Sequence, residues 1–128
     1  MRDISKVLEC WGGWAASDHA GVDYSHIAAG FKGLLPQKGK MRLSCTDDDG
    51  LIIEGCLAQL KKRKPDEHSL LVAHYLYGIS KRKIAKHRKK CEKQIRVEML
   101  LAEGFIEGCL SMLDVCLEMD CVVEKRFL

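Results

Sequence analysis

Residues 81–96 read KRKIAKHRKKCEKQIR, and this segment decides how the fold of the 128-residue chain is interpreted. Nine of its sixteen residues are Lys or Arg and one is an acid, so it carries +8 in a chain whose net charge is +3. The other 112 residues therefore sum to −5. A concentrated positive field on an otherwise acidic protein is typical of a surface that binds a phosphate backbone.

Capping and apolar residues around this segment predict a helix-turn-helix. Residues 66–78, DEHSLLVAHYLYG, predict a first helix that Asp66 caps and Gly78 ends. Two further helices follow, with caps at Ser80 and Cys91 and with apolar core residues at Ile84, Ala85, Ile95 and Met99. The third helix would enter the major groove of DNA while the second crosses the backbone. We therefore predict a sigma-region-4-like helix-turn-helix over about residues 66–104.

The predicted DNA contacts on these helices fall into two groups. The basic residues that would hold phosphates and fix the register are Lys81, Arg82, Lys86, Lys89 and Lys90. The groove-facing side of the third helix would be formed by Glu92, Lys93, Gln94, Arg96 and Val97. Gln suits adenine, Lys and Arg suit guanine, and Val can contact the methyl group of thymine. The second group would therefore read the base sequence.

The turn between the second and third helices is unusually basic. Arg88 stands where leucine is usual, and Lys89 and Lys90 fill a turn that usually carries glycine and an aliphatic residue. We interpret the turn as a phosphate clamp formed by Lys86, Arg88, Lys89, Lys90 and Lys93. The alternative is an exposed corner of a helix pair that binds nothing. His87 is expected to be neutral, to pack beside the turn and to take no part in catalysis.

The N-terminal half of the chain predicts further helices. Apolar residues at helical spacing from Ile4 to Trp11 indicate an amphipathic helix. Gly12 and Gly13 are expected to allow close backbone packing, the alternative being an aromatic binding site between the tryptophans. A short helix is predicted over residues 24–31, and a loop follows over residues 34–44. A second, weaker basic stretch consists of Lys32, Lys38, Lys40 and Arg42.

Thr46 followed by Asp47, Asp48 and Asp49 predicts an N-cap with acids in the first turn of a helix that ends at the KKRK of residues 61–64. The last helix of the chain is expected to be long, with a 4-3-4-3-4 apolar seam at Ile95, Met99, Ala102, Ile106, Cys109 and Leu113. Unbroken to Met119, it would measure about 42 Å. Gly104 and Gly108 are expected to let another helix pack closely, from the N-terminus or from a second protomer.

The acids of this last segment are expected to form its solvated side: Glu98, Glu103, Glu107, Asp114, Glu118 and Asp120. Taken together, these patterns predict an all-α fold. The expected architecture is one compact helical domain over residues 1–128, with a helix-turn-helix and a long C-terminal helix.

Composition argues against several classes of protein. No apolar run approaches the roughly 18 residues of a membrane span, so we expect a cytoplasmic protein without membrane contact. Seven cysteines without a C-x-x-C pair predict neither disulfides nor a zinc site. An enzyme would need Asp47 to Asp49 with a metal ion, or Cys91 with His87, and neither set has converging partners. We therefore predict no enzymatic activity, no cofactor and no metal site.

Five segments of the chain resemble the short lambdoid-phage antitermination proteins of the Q family, in the group without a zinc-finger insert. These segments are MRDI-x-x-VLE-x-WG-x-W (1–14), IAAGFKGL (27–34), DDD with I-I-x-G-C (47–56), AEG-x-IEG (102–108) and LEMD-x-VV (117–123). The resemblance covers nearly the full chain and is far more specific than the helix-turn-helix pattern alone.

The resemblance implies a function and a set of partners. Such proteins bind a double-stranded DNA element beside a phage late promoter, join the host RNA polymerase holoenzyme that is paused there with its sigma factor, and suppress termination. The implied location is the cytoplasm of a host bacterium. Proximity to nascent RNA and self-association on DNA stay open. The alternatives are an ordinary helix-turn-helix DNA-binding regulator and a protein that binds an RNA hairpin through its basic helix.

Overall fold

The computed structural model describes residues 2–17, 21–35 and 42–120 of the chain. Within these residues the order of elements is α1 (Ile4–Ala15), α2 (Ser25–Gly30), α3 (Asp47–Arg63), α4 (Pro65–Leu71), a π-helix (Val72–Leu76), α5 (Lys81–Arg88) and α6 (Glu92–Leu113). The prediction of an all-α fold with a long C-terminal helix is confirmed. None of the described helices is both long enough and apolar enough to cross a membrane.

Helix α1 lies in the centre of the molecule, where it packs against the π-helix, α3 and α6. Trp11 and Trp14 are buried, and each indole N–H donates to a carboxylate of α3: Glu54 at 2.9 Å and Asp47 at 2.8 Å. A Cβ on Gly12 would lie 2.7 Å from the carbonyl carbon of Tyr75. The glycines therefore serve close backbone packing, as predicted. The tryptophans are core residues and do not form a binding site.

Helix α3 begins as predicted, because the Thr46 hydroxyl accepts a hydrogen bond from the backbone N–H of Asp49 at 3.3 Å. The carboxylate of Asp49 is buried and accepts from the backbone N–H groups of Glu118 at 2.8 Å and Met119 at 3.0 Å. Asp49 therefore fastens the end of the described chain to the start of α3. Asp47 and Asp49 therefore accept hydrogen bonds from the protein at the start of α3.

The segment before the basic block differs from the single helix that the sequence predicts. It starts at Pro65, with Lys64 as N-cap, so Asp66 lies in the first turn and is not the cap. It widens into the π-helix after Leu71, and Gly78 ends the segment at φ +71°, as predicted. The guanidinium of Arg42 donates to the π-helical carbonyls of Tyr75 and, at 2.8 Å, Leu76.

The second basic stretch is only partly described. Lys32 is exposed, and Lys38 and Lys40 lie outside the described residues. Arg42 is also exposed, and its guanidinium satisfies carbonyls that a π-helix leaves without their usual partners. A second basic surface therefore stays a prediction.

Helix α6 is shorter than the sequence predicts, and its buried stripe differs. It ends at Leu113, because Asp114 adopts a left-handed conformation at φ 51°. At 1.5 Å per residue it measures about 33 Å, not 42 Å. The buried stripe continues from Ile106 to Leu110, whereas Leu113 is 56 % exposed. A straight helix has 3.6 residues per turn, so its buried face drifts away from a heptad seam.

The glycines of α6 and its acid Glu103 lie in surroundings that differ from those expected. A Cβ on Gly104 or Gly108 would meet nothing within 4 Å among the described atoms, so neither glycine packs closely against another described helix, and packing against a second protomer stays a prediction. Glu103 is buried, not solvated, and it accepts hydrogen bonds from the hydroxyl groups of Tyr75 at 3.2 Å and Ser5 at 3.4 Å. The apolar core could hold this carboxylate because both hydroxyl donors lie within reach.

Candidate nucleic-acid interface

The turn between α5 and α6 is built by backbone hydrogen bonds that define a Schellman motif. The N–H of Lys90 donates to the carbonyl of Ala85 at 3.0 Å, and the N–H of Lys89 donates to that of Lys86 at 3.3 Å. Lys89 consequently sits in the left-handed region, at φ 56° and ψ 41°. This is the position where a helix-turn-helix usually carries glycine, so Lys89 is held there against its conformational preference.

The two helices begin and pack as the sequence predicts. The Ser80 hydroxyl accepts from the N–H of Lys83 at 3.2 Å and caps α5. Cys91 occupies the N-cap position of α6, but its thiol makes no capping hydrogen bond to the helix. The pairing of the two helices buries the predicted anchors Ile84, Ala85, Ile95 and Met99, each no more than 4 % exposed.

All ten predicted DNA-binding residues lie on α5, the turn or the first two turns of α6. Exposed residues are Arg82, Lys86, Lys89, Lys90, Lys93, Gln94, Arg96 and Val97, and half-exposed residues are Lys81 and Arg88. They share these two helices and the turn with the buried anchors Ile84, Ala85, Ile95 and Met99. The structure therefore brings the predicted residues together on one helix-turn-helix unit, with every one of them exposed or half-exposed.

Three of these cationic side chains form ion pairs with acids of α6. Glu92 lies between two arginines, with one carboxylate oxygen 3.7 Å from Nε of Arg82 and the other 3.3 Å from Nε of Arg96. Lys90 pairs with Glu98 at 2.9 Å. A polar cavity of about 510 Å³ adjoins the arginines and is lined by His74, Ser80, Lys81, Arg82, Glu92 and Arg96.

A contact that the sequence pattern did not indicate anchors the basic turn to α2. Nε2 of His87 lies 2.8 Å from the carbonyl oxygen of Gly30, and its ring lies 5.1 Å from that of Phe31. The guanidinium of Arg88 stands over the same Phe31 ring at 5.2 Å. Because a carbonyl can only accept, Nε2 of His87 must carry a proton. His87 thus packs beside the turn, and Arg88 is oriented by an aromatic ring.

Burial shifts the pKa values of three groups, of which His74 alone is among the residues that line the cavity beside the basic helices. Burial lowers the pKa of His74, whose Nδ1 lies 2.8 Å from the carbonyl oxygen of Ile79. Burial also lowers the pKa of His68 in α4 to about 4, so this side chain is neutral at physiological pH. Burial raises the pKa of the Cys56 thiol to about 11, which makes it a poor nucleophile and metal ligand.

The described residues contain no group of three or more His, Cys, Asp or Glu side chains that could hold a metal ion. Of the seven cysteines, Cys121 lies outside the described residues. The six described cysteines are all free thiols. The candidate site is an electropositive surface that suits the binding of a polyanion.

The chain is similar to known proteins over almost its whole length. The family model described as phage antitermination protein Q matches residues 1–118. The chain is 56 % identical over 120 residues to the probable antitermination protein Q of Acyrthosiphon pisum secondary endosymbiont phage 1, covering 93 % of this chain and 81 % of the relative. It is 50 % identical to the prophage antitermination protein Q homolog QuuD of Escherichia coli K12, covering 98 % of both chains.

Further matches agree with these. The chain is 47 % identical to the antitermination protein Q of Escherichia phage 933W, over 98 % of this chain and 88 % of the relative. A solved structure of the transcription antitermination factor Q21, as its selenomethionine derivative, has the same fold with a TM-score of 0.60. That match has 18 % sequence identity and covers 87 % of this chain and 89 % of the other.

These matches favour an antitermination protein over an ordinary DNA-binding regulator, because the relatives are named as antitermination proteins. The family is one of transcription antitermination factors and is not an enzyme class. The chain therefore belongs to the phage antitermination protein Q family and functions in transcription antitermination.

Proposed function

We propose that this antitermination protein uses α5, the turn and the start of α6 to bind a DNA element near a phage late promoter. From there it joins the host RNA polymerase holoenzyme that is paused with its sigma factor, in the cytoplasm of the host bacterium, and suppresses termination downstream. The observation that carries the proposal is that all ten residues are exposed or half-exposed on a helix pair that Ile84, Ala85, Ile95 and Met99 anchor in the core.

The positions of the side chains indicate which residues would contact phosphates and which would contact bases. Residues of α5 and the turn would contact phosphates, as the second helix of a helix-turn-helix crosses the backbone. Lys93, Gln94, Arg96 and Val97 are exposed in the first two turns of α6, where a recognition helix contacts base edges. Arg88 stands over Phe31, so it would present its guanidinium to a phosphate from a fixed direction.

A separate surface suits the contact with polymerase. An apolar groove of about 590 Å³ runs between α3 and α6, lined by Gly55, Cys56, Gln59, Phe105, Gly108, Cys109, Met112 and Leu113. Met112 at its rim is 87 % exposed, and Leu51, one turn before Gly55 on α3, is 59 % exposed. Exposed apolar patches of this kind mark protein interaction sites. We assign the groove to a protein partner and the basic surface to DNA.

DNA binding is tested first, with duplex fragments from the late-promoter region of the parent phage. About six phosphate contacts predict a slope near −5 in a plot of log affinity against log salt. Arg96→Ala should weaken binding to the proper site by about 1–3 kcal/mol and leave binding to other duplexes almost unchanged. Lys6→Ala, at an exposed lysine of α1, is the matched control and should bind like the wild-type protein.

Transcription in vitro tests the rest of the proposal. Host holoenzyme is started at the late promoter and allowed to reach a downstream terminator, with and without the protein. Competitor DNA is added after the polymerase has left the promoter. Read-through that persists would support a factor that moves with the polymerase. An effect on initiation alone would contradict it. Met112→Asp should lower read-through without changing DNA affinity, because it alters only the apolar groove.

A matched competition separates DNA from RNA as the ligand of the basic surface. Equal masses of promoter duplex and of an RNA hairpin compete with a labelled duplex for the protein at one salt concentration. Stronger competition by the hairpin would contradict the assignment of the basic surface to DNA.

A further inference from the structure

We propose that Glu92 is a specificity-determining residue of the basic surface: it lowers affinity for DNA that does not match and raises the preference for the correct site. The proposal rests on the proposed DNA-binding function and deepens it. Glu92 is the single acid among residues 81–96, and it is the first residue of α6.

The geometry of Glu92 supports a positioning role. Its carboxylate reaches arginines on two different helices, Arg82 on α5 and Arg96 on α6, and in both cases it contacts Nε. The terminal NH2 groups of both guanidinium ions are therefore left to other partners. Bidentate recognition of guanine O6 and N7 needs two N–H donors in one plane. Glu92 can hold Arg96 at Nε while the terminal groups read a base.

The same carboxylate also disfavours DNA that does not fit. Any duplex that seats its phosphates near Arg82 brings negative charge toward Glu92, and this repulsion acts on every base sequence. The Glu92 side chain is 38 % exposed, so its charge acts at the surface and is not hidden in the core. Only a DNA site that contacts the oriented Arg96 gains enough binding free energy to offset the repulsion. The net effect is lower affinity for DNA that does not match and better discrimination, which is how repulsive elements create specificity.

A purely structural role for Glu92 makes a different prediction. An acid in the first turn stabilises a helix through the dipole, and the pair of Glu92 with Arg96 has the i, i+4 spacing that adds to this. Removing such a residue lowers thermal stability and leaves the ratio of affinities for two DNA sequences unchanged. The ratio therefore distinguishes the two roles.

The test uses three full-length variants and two duplexes. One duplex is a site that the wild-type protein selects from a random library, and the other is the same site with its sequence scrambled. Glu92→Gln removes the charge, and Glu92→Asp keeps the charge but shortens the side chain so that it no longer reaches Arg96. Asp48→Asn, an exposed first-turn acid of α3, controls for net charge and for the helix dipole.

For Glu92→Gln we expect affinity for the scrambled duplex to rise about threefold to tenfold, with a salt slope steeper by about 1 because one more cation is released to phosphate. The ratio of affinities for the two duplexes should fall about tenfold, the size of one bidentate base contact. Glu92→Asp should lower the ratio while leaving affinity for the scrambled duplex almost unchanged. Asp48→Asn should change neither the ratio nor the slope.

Other outcomes overturn the proposal. If Glu92→Gln raises both affinities by the same factor, Glu92 is only a charge. If it lowers the melting temperature and leaves both affinities unchanged, Glu92 acts through the helix dipole alone. A wild-type protein that selects no site from the library contradicts the proposed DNA binding itself, and this result is obtained before any variant is made.

Discussion

Lys89→Gly should make the protein more stable and at the same time a weaker DNA binder. Lys89 is held at φ 56° and ψ 41° by the two hydrogen bonds of the Schellman motif. A left-handed conformation costs an L-residue roughly 1–2 kcal/mol, and glycine avoids this cost. Glycine loses about 0.5–1 kcal/mol more conformational entropy on folding. The net gain is about 0.5–1 kcal/mol.

For a chain of this size, that gain raises the melting temperature by about 3 °C. The same variant removes one cation from the basic surface, so the salt slope of DNA binding should become shallower by about 1. Lys89→Ala is the matched control, because it removes the same charge and keeps the strained backbone. It should lose the same DNA affinity and gain no stability.

The assays are urea denaturation followed by circular dichroism, and titration of a labelled duplex at several salt concentrations. Lys89→Gly that is no more stable than Lys89→Ala would refute the argument from backbone strain. A wild-type salt slope in both variants would refute a phosphate contact at Lys89.

Further predictions concern the core and its pH dependence. Gly12→Ala should destabilise the protein by about 3 kcal/mol in urea denaturation, because its methyl group would overlap the backbone of Tyr75. Gly108→Ala should stabilise the protein by about 0.5–1 kcal/mol, because alanine favours the helix and its methyl group meets open space. Arg42→Met should cost about 2 kcal/mol in the same assay, since two carbonyls of the π-helix lose their guanidinium donor. His68 has an ordinary pKa of 6.5 and a folded pKa of about 4, so below pH 6.5 the unfolded chain takes up a proton that the folded chain does not. Stability should therefore be complete above pH 6.5 and fall by up to about 3 kcal/mol as the pH approaches 4, and His68→Gln should flatten that part of the profile.

Local signals allowed the sequence to predict most of the helices. Thr46 and Ser80 cap α3 and α5 through their hydroxyl groups, and Gly78 ends the segment before α5 at positive φ. Such signals depend on residues within one turn of each other, so they can be read from the chain without knowing its fold. The buried anchors of α5 and α6 follow from helical spacing for the same reason.

Predictions failed where partners distant in sequence decide the outcome. The α2 carbonyl and Phe31 that hold His87 and Arg88 lie 57 residues before them. Glu103 is buried because Tyr75 and Ser5 approach it from other helices. Gly104 and Gly108 were expected to let another helix approach α6 closely, and no other described helix does so. Local sequence does not show whether another helix lies beside a glycine.

The helical class, the caps, the pair of helices that carries the basic surface and the charge of that surface could be predicted from the chain, because each depends on residue type and spacing. Contacts between segments determine which acids stay in solvent, where α6 ends, and which cations are already paired. Those outcomes depend on distances between segments, as in Glu92, whose two arginine partners come from different helices. A hydrogen bond needs its donor and acceptor within about 3 Å, and the attraction between two charges weakens with distance and is screened by salt, so only the folded chain fixes these energies.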